Sequence, residues 1–263
     1  MELDDAYANA AYIPEGESYP PRWEAAAAAF RAGAKAAELD LGYGPAARQR
    51  LDIFRPEGTP KGLMIFVHGG FWRMLDKSYW SHLASGALAK GWAVVMPSYT
   101  LCPETSITGI TREVAAAVSL AAGAVEGPIV MAGHSAGGHL VARMMARGML
   151  PVAVASRLRH VMPISPLSDL RPLMRTSMNA DFKLDEAEAV AESPIFMTDR
   201  VDCAVTVCVG SAERPAFLDQ ARWLSEAWGC PLHVEEGRHH FDVLEPLESK
   251  DSDLLGTLLN SAP

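Results

Sequence analysis

Residues 128–148 read PIVMAGHSAGGHLVARMMARG. The first part, Ile129 to Ala132, is a short apolar run of the kind that forms a strand buried on both faces. The part from Ala136 onward places apolar residues at helical spacing. Between them, Gly133-His134-Ser135-Ala136-Gly137 leaves no room for a loop. A turn that passes directly from strand to helix needs small residues on either side of its apex. Such a turn lifts the Ser135 hydroxyl above the C-terminal end of the strand and sets it over a helix N-terminus, where developing negative charge is favoured. A glycine-rich turn with no chemistry is the alternative, and only the flanking sequence separates the two.

That flanking sequence alternates. Strands are expected at residues 50–54 (RLDIF), 63–67 (LMIFV), 92–96 (WAVVM), 128–133 (PIVMAG), 159–165 (RHVMPIS), 204–210 (AVTVCVG) and 231–237 (PLHVEEG). Helices are expected at residues 78–90, 107–124, 136–148 and 215–228, the last with Pro215 in its first turn. Strands separated by helices predict βαβ units, a mostly parallel sheet flanked by helices, and an α/β fold whose strand C-termini share one edge. Two segments fall outside the alternation. Residues 22–37 form an Ala-rich helix candidate. Residues 167–200, with Met174, Met178, Phe182 and Met197, exceed what a crossover needs and suggest a small lid or cap. No repeat or composition break divides the chain, so a single domain over residues 1–263 is expected. Within it, residues 1–45 are a candidate part of the cap and residues 167–200 a lid insertion.

The strand at 63–67 runs into His68-Gly69-Gly70-Phe71-Trp72. Acyl transfer creates an oxyanion, and preorganised N–H groups must meet it. The expected donors are the N–H groups of Gly70, Phe71 and Ala136. Gly69 shapes the turn and His68 organises the loop. In a strand–elbow–helix hydrolase the acid and base follow the serine in that order. Glu213 follows the strand ending at Gly210, where the acid belongs. Asp202 precedes that strand, and Asp219 lies within the following helix. After the last strand come His239 and His240, and His240 is preferred as base with His239 second. The adjacent pair lacks the spacing of a metal site. Phe71, Trp72, Tyr79 and Trp80 follow the oxyanion turn. Trp72 and Tyr79, with His134 beside the serine, are candidate pocket residues, although at least two of the aromatics are expected to pack a helix on the sheet. His82, His139 and His160 read as structural or surface residues, as His134 does in the alternative. Arg73 is a candidate for a substrate carboxylate, or a plain loop arginine.

The chain of 263 residues carries 23 Lys and Arg against 32 Asp and Glu, a net charge of −9. That field repels a phosphate backbone, so no nucleic-acid partner is expected. No charge-free apolar stretch reaches the roughly 18 residues of a membrane span, and the N-terminus MELDDAYANAAYIP lacks the basic start of an export signal. A cytoplasmic chain with free thiols at Cys102, Cys203, Cys208 and Cys230 is expected. The expected partner is a small-molecule substrate, no metal or organic cofactor is required, and a homodimer is left open.

These pieces carry a resemblance. RLDIFRP at residues 50–56, HGGFW at 68–72, GHSAGGHL at 133–140 and HFDVL at 240–244 resemble the kynurenine formamidase (arylformamidase) group of α/β-hydrolases, near the hormone-sensitive-lipase-like esterases. The H-G-G-x-W form is the specific part, since related esterases more often show H-G-G-G. The resemblance implies the α/β-hydrolase fold, Ser135 as nucleophile, His240 as base and an acid after the Gly210 strand. Many relatives carry Asp there, whereas this chain has Glu213. It implies a serine hydrolase acting on N-formylkynurenine or a similar formanilide. A carboxylesterase or thioesterase for short acyl groups uses the same machinery. A binding protein on a hydrolase scaffold is the reading from another class.

Overall fold

The computed structural model describes residues 1–260. Nine strands form one sheet: β1 (Ala37–Gly42), β2 (Arg50–Phe54), β3 (Leu63–Val67), β4 (Ala93–Pro97), β5 (Ile129–His134), β6 (Leu158–Ile164), β7 (Ala204–Val205), β8 (Val207–Gly210) and β9 (Leu232–Glu235). Their order is β1-β2-β4-β3-β5-β6-β8-β9, with β7 paired to β6. From β4 to β9 the pairs are parallel, and β1 and β2 run antiparallel at one edge.

Both faces of the sheet are covered, which is why its strands read as unbroken apolar runs. Alternation survives inside the runs. Leu63, Ile65, Val67, Ile129 and Met131 join one apolar layer with the helices Ile107–Ala124, Ala136–Arg143 and Pro215–Trp228. Met64, Phe66, Val130 and Ala132 join the other, with Trp23 of the helix Tyr19–Gly33 and Leu254, Leu255 and Leu258 of the helix Asp253–Asn260. Among the described residues no helix is long and apolar enough to cross a membrane.

Several boundaries differ from the sequence reading for identifiable reasons. The Ala-rich helix begins at Tyr19 because Pro20 and Pro21 occupy its first turn, and it stops at Gly33, so that Ala37 opens strand β1 instead. Strand β1 is half-exposed and weakly patterned. It is held by buried Lys77, whose ammonium pairs with Asp40 at 2.7 Å and Asp52 at 2.8 Å. The stretch expected as one helix at 78–90 breaks into 3-10 turns, Lys77–Tyr79 and Ser81–Ala84, before the short helix Ser85–Ala89. Arg31 takes the Ser78 carbonyl, which a continuous helix would have used. The helix after the elbow ends at Arg143 rather than 148, where Met145 and Ala146 tighten to i−3 bonds. The run 204–210 splits at Thr206, whose hydroxyl bonds the ring of His160 at 3.0 Å.

Register sets up the site. Val67 pairs with Gly133, His134 with Ile164, Ile164 with Cys208 and Gly210 with Glu235. The strands β3, β5, β6, β8 and β9 therefore finish along one edge, and every loop that leaves them opens onto it.

Residues 167–200 lie against the first layer. Leu167, Leu170, Leu173, Phe182, Leu184 and Ala189 are buried in it. The helix Glu186–Glu192 is anchored by Glu192, which accepts from Arg143 at 3.1 Å and Thr111 at 2.8 Å, while its carbonyl binds the ring of His139 at 2.8 Å. Residues 1–18 run across the same end of the molecule. Leu3 N–H donates to the Arg175 carbonyl at 3.2 Å, and Tyr7 is buried with its hydroxyl accepting from Gln220 at 2.9 Å.

Candidate active site

Ser135 lies between β5 and the helix Ala136–Arg143 with φ 55° and ψ −117°, a conformation that a serine adopts only when its surroundings impose it. The imposition is visible. Ser135 N–H is held by the Ile164 carbonyl at 2.8 Å, and its own carbonyl accepts from His139 at 3.1 Å. A Cβ on Gly137 would overlap the Val67 carbonyl oxygen, so the helix can start this close to β3 only with glycine there. Ser135 itself is 2% exposed.

The turn after β3 presses against this serine. A Cβ on Gly69 would stand 3.1 Å from the Ser135 Cβ and 2.9 Å from the His134 carbonyl. Gly70 has φ 108°, and Phe71 and Trp72 follow at 49° and 54°. Three consecutive left-handed residues turn the chain sharply, and the Gly70 carbonyl closes the turn by accepting from Arg73 and Met74, both at 3.0 Å. Among the described residues no acceptor takes the N–H groups of Gly70, Phe71 or Ala136. These are the three donors expected for an oxyanion. His68 organises this loop from below: its Nδ1 donates to the Gly69 carbonyl at 2.7 Å, and its ring stacks on Tyr99 at 4.4 Å. Burial lowers its pKa to about 4, so it is neutral at physiological pH.

Glu213 and His240 meet. The His240 Nδ1 lies 2.6 Å from the Glu213 Oε2, and the two residues are 3% and 7% exposed. The other carboxylate oxygen accepts from Gly210 N–H at 2.9 Å and from the Ser165 hydroxyl. The carboxylate is thus fixed by the strand ends of β8 and β6 before it binds the imidazole. The His240 ring is sandwiched, with Phe217 at 4.2 Å and His134 at 4.6 Å between centroids. The runner-up, His239, is engaged elsewhere: its Nε2 meets the Tyr19 hydroxyl at 3.1 Å and its Nδ1 lies 3.1 Å from Asp242. Asp219 pairs with Arg222 at 2.7 Å on the following helix, and Asp202 lies before β7.

With that geometry in place, comparison with known proteins places the chain. A family profile described as alpha/beta hydrolase fold matches residues 64–228. The chain belongs to the α/β-hydrolase family. The kynurenine formamidase of Danio rerio is 27% identical over 84% of this chain and 80% of its own length. A crystal structure from Silicibacter sp., described provisionally as a thioesterase, is 59% identical and superposes with a TM-score of 0.97, covering 98% of this chain and 99% of that one. A truncated carbohydrate esterase from gut microbiota, 17% identical with a TM-score of 0.69 over 86% of this chain and 96% of its own, shares the fold. This α/β-hydrolase is a serine hydrolase.

The aromatic residues expected to line a pocket divide. Trp72 is fully buried, with its ring edge-on to His139 at 5.0 Å and to Phe182 at 5.6 Å, so it is a core residue beneath the oxyanion turn rather than a wall of an open pocket. Trp80 is also buried, at 4.6 Å from Trp23. Tyr79 is half-buried against the opposite apolar layer. Phe71 stays on the side of the site, 6.3 Å from Phe217. His134 sits against His240, and burial together with that neighbour's charge drives its pKa well below the ordinary histidine value. Arg73 pairs with Asp181 at 2.9 Å. Among the described residues no group of three metal-binding side chains converges.

Sequence reasoning missed two residues that contact the Glu213–His240 pair. Ser165, which holds Glu213, carried a usable signal, being the last residue of a strand that ends on the catalytic edge. Phe217, which packs on His240, lay two residues past Pro215 with no distinguishing pattern.

Proposed function

We propose that this hydrolase cleaves a formyl or other small acyl group from an aromatic amine, with N-formylkynurenine or a similar formanilide as substrate. Ser135 attacks the carbonyl carbon while His240 takes its hydroxyl proton. Glu213 holds the His240 Nδ1–H and stabilises the imidazolium. The oxyanion is met by the N–H groups of Gly70, Phe71 and Ala136. His240 then gives its proton to the amine nitrogen as the C–N bond breaks. In the second half, His240 deprotonates water, which attacks the acyl-enzyme and returns Ser135 and free acid.

The observation that carries this reading is the enclosure of Ser135. The serine is 2% exposed and His240 3% exposed, with Phe71 and Phe217 close by. A site so closed suits a one- or two-carbon acyl half. The Danio rerio relative is named for a formamide substrate. Residues 167–200 act as a fixed cover in this reading, since Glu192 and Phe182 bind them to the hydrolase body. A cytoplasmic location belongs to the same proposal, because all four cysteines are free thiols, suited to reducing surroundings.

The second reading is a short-chain thioesterase or carboxylesterase, favoured by the description of the 59%-identical Silicibacter structure. The test is kcat/KM for N-formylkynurenine, p-nitrophenyl acetate and acetyl-CoA with the wild type and Ser135→Ala. A clear advantage for the formamide, lost with the serine, supports the first reading. Cleavage of the thioester or ester alone replaces it with the second. Failure of a phosphonate probe to label Ser135 in folded protein favours a binding protein.

A further inference from the structure

The end of strand β6 touches two members of the proposed triad through consecutive residues. The Ile164 carbonyl accepts from Ser135 N–H at 2.8 Å, and the Ser165 hydroxyl donates to Glu213 Oε1. The backbone of the nucleophile and the carboxylate of the acid are thus tied to the same step of the chain. Ser165 is fully buried. Its N–H is fixed on the Cys208 carbonyl at 2.7 Å, across to β8, the strand that leads to Glu213. The backbone at Ser165 stands at φ 47°. In that left-handed region a Cβ is crowded, and glycine is the residue that enters it freely. A buried residue with a side chain held in such a conformation is a sign that the side chain is used. The use on view is the bond to Glu213.

Glu213 needs such a bond. A glutamate is a long side chain with several soft torsions, and Gly210 N–H at 2.9 Å gives its Oε1 a single hinge. About one hinge the carboxylate can still swing, and Oε2, which meets His240 Nδ1 at 2.6 Å, swings with it. A second donor on the same oxygen, from β6 rather than β8, removes that freedom. We propose that Ser165 is a positioning residue for the hydrolase reaction: its hydroxyl locks the Glu213 carboxylate, and the Ile164–Ser165 step sets where that carboxylate stands relative to the nucleophile. This deepens the proposed roles of Glu213 and His240 and rests on them. His240 serves both acylation and deacylation, so both halves of the reaction depend on the lock. Buried Ser165 meets no substrate, and the signature is therefore a lower kcat with KM held.

The test is steady-state hydrolysis of p-nitrophenyl acetate by the full chain, with Ser165→Ala and Ser165→Gly made both in the wild type and in Glu213→Ala. Ser165→Ala removes the hydroxyl and keeps the backbone strain. Ser165→Gly removes both, so it melts within about 4 °C of wild type, relief of the strain offsetting the lost bond. Each variant is expected to lose about ten-fold or more in kcat with KM within about three-fold. In the Glu213→Ala background, where the hydroxyl has no carboxylate to hold, the same changes alter kcat by less than about three-fold. Thermal midpoints establish folding, and either variant carries the test if the other does not fold. A folded Ser165→Gly or Ser165→Ala that loses less than about ten-fold in kcat overturns the inference, and so does a KM that rises as far as kcat falls. A loss of about three-fold or more that persists in Glu213→Ala overturns it too, because Ser165 would then act by another route. Glu213→Ala alone separates this inference from the one beneath it. If that variant keeps more than about a tenth of wild-type kcat, the acid assignment falls and the lock with it. If it is inactive while the Ser165 variants stay active, the lock alone falls.

Discussion

Replacing Glu213 with glutamine keeps the shape of the side chain and changes one contact. In the native protein the carboxylate accepts from the His240 Nδ1 at 2.6 Å, from Gly210 N–H at 2.9 Å and from the Ser165 hydroxyl. Glutamine can keep its Oε1 on Gly210 and Ser165, which leaves its NH₂ facing the His240 Nδ1. Two donors then meet, and the imidazole resolves the conflict by moving its proton to Nε2. In the proposed mechanism that nitrogen is the base, and once protonated it can no longer take the Ser135 proton. A wrong tautomer of this kind lowers kcat about 10⁴-fold in a serine triad, equivalent to about 5 kcal/mol in the barrier. KM changes little, because no substrate contact is lost. The fold also holds, with a melting shift within about 4 °C, or about 1 kcal/mol. Steady-state hydrolysis of p-nitrophenyl acetate by folded Glu213→Gln measures this directly, with Asp219→Asn as the control, expected within about two-fold of wild type as for other surface changes. A folded Glu213→Gln that keeps more than a tenth of wild-type kcat refutes the assignment of Glu213 as the acid.

Three further outcomes are expected. His240→Gln loses about 10³–10⁴-fold or more in kcat, whereas His239→Gln, whose native ring is tied to Tyr19 and Asp242, stays within about ten-fold; the same ester assay separates them, and the opposite ranking would exchange the two histidines. Phe182→Ala removes a fully buried ring from beneath Trp72 and destabilises by about 3–5 kcal/mol, read as a lower urea midpoint; a shift under about 1 kcal/mol would mean that the segment is not packed as described. His68 and His139 are buried, and burial lowers each pKa to about 4. The unfolded chain takes up these protons as pH falls below about 6.5 while the folded chain does not, so stability declines from there and the decline ends near pH 4. Each histidine contributes about 2 kcal/mol of loss by pH 5, and a urea midpoint that is flat from pH 7 to pH 5 would contradict it.

What the sequence made legible follows from how local the determinants were. The strand-to-helix turn at Ser135, the glycine turn after β3 and the strands β2, β3 and β5 depend on apolar runs and glycines within a few residues of each other, and the sequence places them almost to the residue. Chain order points to Glu213 and His240, the proposed acid and base, because parallel topology translates order into position along one sheet edge, and the two side chains do meet there. The failures are cases where a distant residue overrides the local pattern. Arg31 breaks the expected helix at 78–90 from 47 residues away. Trp72 was read as a pocket wall because it adjoins the turn, yet Phe182, more than a hundred residues later, closes over it. Strand β1 carries few apolar residues and depends on Lys77 for its anchor.

The N-terminal segment also bears on how the enzyme is made. Its buried Tyr7 waits for Gln220, a partner 213 residues further along the chain. At about 5–20 residues per second, synthesis needs roughly 10–40 s to deliver that partner. Until partners such as Arg175 and Gln220 emerge, the segment has nothing to pack against, and Glu2, Asp4, Asp5, Glu15 and Glu17 give it the charge to remain hydrated. The contacts that seat it, Asp5 on Arg214 and Tyr7 on Gln220, form only after Gln220 has left the ribosome, so the N-terminal segment docks late in the synthesis of the hydrolase.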